Sequence, residues 1–158
     1  MKQMKVNALL VVLVALAVGL MSSDGFAQRG PGGMMWRGSG GWGPGTQYNR
    51  MYDPKTVETI SGEITIVDRI TPAKGMAGGV HMNVKTDKET ISVHLGPAFY
   101  IENQDVKLQP KDKVEVKGSR ITFDGKPAII SAEVKKGDEL LKLRDDAGFP
   151  VWIGWRRR

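Results

Sequence analysis

The sequence predicts an all-β domain, and three observations carry that expectation. Apolar residues recur at every second position in five stretches between Thr56 and Val134. Turn chemistry separates the stretches: TPAKGMAGG at 71–79, Gly96-Pro97 and Asp124-Gly125. The chain has no cysteine, so no disulfide can help, and residues 54–138 must be held by an apolar core alone.

The first stretch is TVETISGEITIVDRI (56–70), where Ile60, Gly62, Ile64 and Ile66 share one parity and Gly62 marks a bend or bulge. In GVHMNVKT (79–86) the inward set is Val80, Met82 and Val84, and in ETISVHL (89–95) it is Ile91, Val93 and Leu95. Gly96-Pro97 ends that strand, because proline cannot donate to a ladder. Pro97 suits the first position of a short helix over residues 97–103, which brings Phe99, Tyr100 and Ile101 over the open end of the core. A fourth strand carries Val114 and Val116, then changes parity at Gly118-Ser119 to Ile121 and Phe123, the signature of a bulge. Asp124-Gly125 predicts a tight hairpin, and PAIISAEV (127–134) supplies a fifth strand with Ala128, Ile130, Ala132 and Val134 inward.

Three strands, a short helix and two strands is the order of a five-stranded Greek-key barrel of the OB type, with the helix plugging the barrel between strands three and four. An SH3-like barrel, the main alternative, lacks a plug there. On GEITIVDRI, VHLGPAFYIENQ, DKVEVKGSRITFDGKPAIISAEV and LKLRDDAGFPVWIGW, residues 53–155 resemble a group of secreted bacterial OB-fold proteins. That group is similar in turn to the periplasmic domain of magnetosome proteins of the MamS/MamX type. The resemblance implies a fold and transfers no active site. The OB class implies ligand binding on the outer face of strands two and three, flanked by the loops after strands one and four.

Flanking this domain are three segments of different composition. Residues 1–27 read as a signal peptide: a basic MKQMK start, an apolar run from Ala8 to Met21, and Gly25 and Ala27 at the positions a signal peptidase reads. The run is short for a membrane span. Export to the periplasm, with cleavage after Ala27, is the expectation. Residues 28–53 are glycine-rich with Met34, Met35, Trp36 and Trp42 interspersed and show no strand or helix period, which predicts a flexible linker. Residues 139–158 hold Phe149, Trp152 and Trp155, too apolar for a free tail, and are expected to pack on the barrel. The other reading of this extension makes Trp152, Trp155, Arg156, Arg157 and Arg158 an aromatic and basic contact for an anionic membrane or a partner.

The formal net charge of +6 points toward nucleic acid only until it is divided. Residues 54–138 hold 13 Lys and Arg against 12 Asp and Glu, so the excess sits on the ends. The outward residues of strands two and three are His81, Asn83, Lys85, Thr90, Ser92 and His94, with no Phe, Tyr or Trp to stack a base. Specific nucleic-acid binding, the usual OB role, is therefore the alternative. Catalysis is not expected: Ser92 and Ser131 lie in strands without the sharp turn that exposes a hydrolase serine, and no phosphate loop is present. What remains is a non-enzymatic binding or assembly module whose partner is a periplasmic protein or a small ligand.

One constellation carries chemistry. If the second hairpin turns at Asp87-Lys88, the chain's two histidines, His81 and His94, become cross-strand neighbours pointing outward on the ligand face beside Asn83, Lys85 and Ser92. Met76, in the loop before strand two, is placed to approach them. Two imidazoles and a thioether suit copper, nickel or zinc, but two histidines alone make an incomplete site.

Overall fold

The computed structural model describes residues 39–155. Six strands form one sheet: β1 (Val57–Ile70), β2 (Gly79–Lys85), β3 (Thr90–Pro97), β4 (Lys113–Phe123), β5 (Lys126–Lys136) and β6 (Glu139–Lys142). A single α-helical turn, α1 (Ala98–Ile101), separates β3 from β4, and 3-10 turns occupy Asn49–Met51 and Pro54–Thr56. The strand order is β3-β2-β1-β4-β5-β6, antiparallel throughout, with an additional parallel pairing of β3 to β5. That pairing runs over Ser92↔Ala128, Val93↔Ile129 and His94↔Ile130, so the pairings of β1 to β5 form a closed circuit, with β6 added beside β5.

The long β1 serves two partners in succession. Val57 to Glu63 pair with β4, and Glu63 to Ile70 pair with β2. The register shifts between Ile64 and Ile66. This shift corrects one expectation: Ile64 is fully buried, but Ile66 is 48% exposed, because the irregularity reverses the parity and Val67 packs on the core instead. The expected bulge in β4 is present, as a register shift between Lys117 and Gly118 against β5. Asp124 and Gly125 both have positive φ, 49° and 75°, the backbone that a two-residue hairpin of this twist demands.

The core draws inward residues from all five expected strands: Ile64, Met82, Val84, Ile91, Val93, Val114, Val116, Ile130 and Val134 are each at most 4% exposed. Tyr100 of α1 is buried against them, while Phe99 faces solvent at 37%. Thr86 orders the β2–β3 turn, its Oγ1 accepting from Lys88 N and Glu89 N. Among the described residues no helix is long and apolar enough to cross a membrane.

The segments flanking the five strands are part of the same packed unit. The expected flexible linker, 28–53, is corrected for its described part: Trp42 is fully buried, and Tyr48 and Tyr52 are buried too. At the other end β6 adds a strand, Leu141 and Leu143 enter the core, and Arg144 bridges to Pro150 as the chain folds back. Trp152, expected in one reading as an exposed contact, is 2% exposed and Trp155 half-buried, so the first is unavailable to a membrane. The expected signal peptide, 1–27, and Arg156 to Arg158 lie outside the described residues.

The two tryptophans are seated on glycines. A Cβ on Gly79 would meet the Trp42 ring, and one on Gly96 would lie 2.8 Å from the Trp152 ring. Gly96 also has φ +152°, a backbone that side-chain-bearing residues rarely adopt. The indoles meet each other edge to face at 6.2 Å, and Trp152 Nε1 donates to Trp42 O at 2.9 Å. The N- and C-terminal segments are thereby joined to each other over the β2–β3 hairpin.

Candidate functional site

The register of the β2–β3 hairpin decides which side chains share a face. Met82 pairs with Val93, Asn83 with Ser92 and Val84 with Ile91, and His81 pairs directly with His94. Beyond His81 the register shifts, so Val80 faces Gly96 where regular pairing would give Leu95. The expected histidine pair is thus brought together, with ring centroids 6.4 Å apart and the planes nearly perpendicular.

The two imidazoles have different surroundings. His81 is half-buried, and its Nδ1 lies 3.0 Å from Ser92 Oγ. His94, expected to point into solvent, is 1% exposed. The cause is residues 39–53, which lie over β3. Tyr48 stacks on the His94 ring at 5.9 Å with its Oη 2.9 Å from Nδ1, and Phe123 closes the other side at 4.8 Å. Burial, and secondarily the nearby His81, pulls the His94 pKa down to about 4, so the ring is neutral at pH 7. Burial likewise raises the Tyr48 phenol well above its usual range. A neutral imidazole and an un-ionised phenol form a satisfied hydrogen bond inside the protein, which explains why this polar pair is tolerated there.

Of the three expected metal ligands, the hairpin brings His81 and His94 together, and Met76 sits apart from them. Both Nδ1 atoms are engaged, one with Ser92 and one with Tyr48. Met76 packs against Gly41, at the Trp42 end of the row Trp42–Tyr48–His94. Among the described residues no group of three His, Cys, Asp or Glu is placed to hold an ion.

The exposed part of the face is polar. His81, Asn83, Glu89, Thr90, Ser92, Lys126 and Pro127 line a hollow of about 410 Å³ between the β2–β3 hairpin and the start of β5. Asn83 and Ser92 were singled out from sequence; Lys85 is exposed and does not line the hollow. Glu89, at the edge of the hairpin, was not singled out, and Lys126 was missed because nothing in its local pattern shows that β5 begins beside β3. Glu89 is fixed by Arg120, which also holds Glu58 at 2.7 Å. The Arg120 hydrogen bond holds the Glu89 carboxyl below its usual range.

The Ser92–His81 contact has the spacing of a nucleophile and its base, and Ser92 sits within a strand and not at a sharp turn. Ser92 is mid-strand, with β2 on one side and β5 on the other, so the surrounding ladder leaves little free backbone N–H to stabilise an oxyanion.

Arg144 is the other polar residue deep in this unit. It is 1% exposed, between the Trp152 ring at 4.9 Å and the Tyr52 ring at 5.6 Å. Its Nη1 donates to Gly148 O, while Nε has no partner. Burial lowers its pKa to about 10 against the favourable influence of Tyr48 and Tyr52, and the guanidinium stays charged at pH 7.

The site thus belongs to a six-stranded β domain with a polar hollow on one hairpin and flanking segments folded over that hairpin. The chain belongs to the MamS/MamX magnetosome protein family, whose model matches residues 56–141, more than half of the sequence. Among curated proteins no significant match is found.

Proposed function

We propose that this member of a magnetosome family is a non-enzymatic binding or assembly module of the OB type that works in the periplasm. The observation that carries the reading is the hollow of about 410 Å³ on the outer face of β2 and β3, where OB domains take their ligands. The closed circuit of β1 to β5 with α1 between β3 and β4 supports the barrel reading. The basic, apolar and small-residue pattern of residues 1–27 supports export. The hollow offers an imidazole, an amide, hydroxyls, an ammonium and a carboxylate already held by arginine. That set suits a small polar ligand or the polar rim of a protein partner. It lacks the exposed aromatic platform that single-stranded nucleic acid needs.

The test is a thermal-shift screen of the secreted chain against small polar ligands and divalent metals, repeated on Asn83→Ala/Lys126→Ala. A ligand of this face raises the wild-type midpoint and leaves the variant unmoved, since binding to the folded state stabilises by mass action. Shifts of equal size in both proteins, or submicromolar DNA binding that persists at about 0.2 M salt, would refute the reading.

A further inference from the structure

The rest of the β2–β3 face is filled by the chain itself, and the filling has the form of a bound peptide. Residues 39–52 contain three buried aromatics: Trp42 and Tyr48, joined by GPGTQ, are the two anchors on the β2–β3 face, and Tyr52 covers Arg144. Each anchor enters a preformed place. The Trp42 ring rests on Gly79, and its Nε1 donates to Ala77 O at 2.8 Å. The Tyr48 ring lies on His94 and its hydroxyl meets Nδ1 at 2.9 Å. The backbone is held at few points: Ala77 N donates to Gly40 O at 2.7 Å, and Trp152 Nε1 donates to Trp42 O. Ala77 belongs to the β1–β2 loop, and Phe123, on the far side of His94, ends β4 at the β4–β5 turn. The segment therefore lies between the two loops that flank the ligand face of an OB domain.

The occupied state also carries a cost. With Tyr52 and Trp152 in place the Arg144 guanidinium is buried without an ion pair among the described residues, and Arg144 Nε and Asn49 Oδ1 are left unsatisfied. Burying a charge without an ion pair is unfavourable, and Tyr52 is one of the two rings that keep water from it. Aromatic burial and the cation–π contacts of Arg144 favour closure, and the desolvation of Arg144 with the unsatisfied Arg144 Nε and Asn49 Oδ1 opposes it.

We propose that residues 39–52 are a displaceable ligand held in cis. The cleft beneath them is a binding site for an extended peptide of a partner protein, with a tryptophan and a tyrosine spaced by glycine and other small residues. The partner's indole takes the Gly79 floor and the Ala77 carbonyl, and its phenol takes His94. This site is separate from the polar hollow at His81 and stands or falls independently of it. A tethered segment competes at high effective concentration, so only a partner whose peptide binds more tightly, or which engages a second surface, displaces it.

The experiment uses the full chain and a synthetic peptide of residues 39–52, followed by calorimetry. In the Trp42→Ala/Tyr48→Ala chain the cleft loses its own anchors, and the peptide is expected to bind at least about tenfold more tightly than to wild type. A peptide with both aromatics changed to alanine is expected not to bind. Equal affinity for wild type and variant, or no binding to a folded variant, overturns the proposal. If the variant does not fold, hydrogen exchange of the wild-type chain decides. Amides of residues 40–52 are expected to exchange at least about tenfold faster than those of β2 and β3, as a separately opening unit does. Exchange as slow as the strands makes the segment a fixed part of the core and overturns the proposal. A concentration-dependent doubling of mass by light scattering, abolished in the variant, assigns the cleft to a second copy's segment and also overturns the partner peptide.

Discussion

In β2 and β3, burial follows the pleat: Val80, Met82, Val84, Ile91, Val93 and Leu95 alternate along their strands and fill the core from one side. In residues 39–52, Trp42 and Tyr48 are buried as deeply, yet no period connects them. The strands are buried because local alternation meets a neighbour of the same pattern. The segment is buried because its rings find Gly79, Ala77 and His94, which lie far along the chain. The strand region can hold its structure by laddered hydrogen bonds and shared side chains. The segment depends on two anchors and a few hydrogen bonds. The first kind of burial makes a fold; the second kind makes a contact that can be exchanged.

That contrast predicts a graded response to substitution. Met82→Ala opens a cavity inside the sheet and is expected to lower global stability by about 2–5 kcal/mol in denaturant unfolding. Gly96→Ala strikes the joint between the regions, straining β3 and pushing the new methyl into Trp152; about 3 kcal/mol is expected from the two effects. Trp42→Ala removes as large a buried ring, but its cost is capped by the free energy of closing one segment. About 2 kcal/mol is expected, with the C-terminal segment loosened as well, because Trp152 loses its neighbour. A loss for Trp42→Ala above that for Met82→Ala would show the two regions to be one cooperative core. Tyr48→Phe keeps the ring and removes only the hydroxyl facing His94, so about 1 kcal/mol is expected.

The same contrast explains what was legible. The five expected strands, the Asp124-Gly125 hairpin, the bulge near Gly118 and the His81↔His94 pairing all follow from alternation and turn residues, and each is found in the structure. Ile66 was misjudged because a register shift leaves no mark in a parity count. The exposure of His94 was misjudged for a different reason. Strand parity identifies a side of the sheet, and a side can be covered by a segment whose own sequence has no pattern. The glycines of residues 38–45 look like linker composition, yet two of them, Gly40 and Gly41, form a turn with positive φ that brings Trp42 to Gly79. The polar hollow was partly visible: His81, Asn83, Thr90 and Ser92 came from the hairpin, while Lys126 and Pro127 required the parallel β3–β5 pairing.

Whether residues 39–52 cover the β2–β3 face is read most directly at His94. Its folded pKa of about 4 lies below the 6.5 of an unperturbed imidazole, and the groups that bear on it are Tyr48 and His81, with Arg144 beyond Tyr48. Between these values the unfolded chain binds more protons than the folded one. The stability associated with neutral His94 is therefore full above pH 6.5 and is lost progressively as the pH falls toward 4, on the order of 3 kcal/mol in all. The measurement is a proton-detected titration of both histidines in wild type and in Trp42→Ala/Tyr48→Ala. The account predicts that wild-type His94 stays neutral to about pH 4 and that the variant moves it back toward 6.5. A wild-type His94 that already titrates near 6.5, unchanged in the variant, would contradict it.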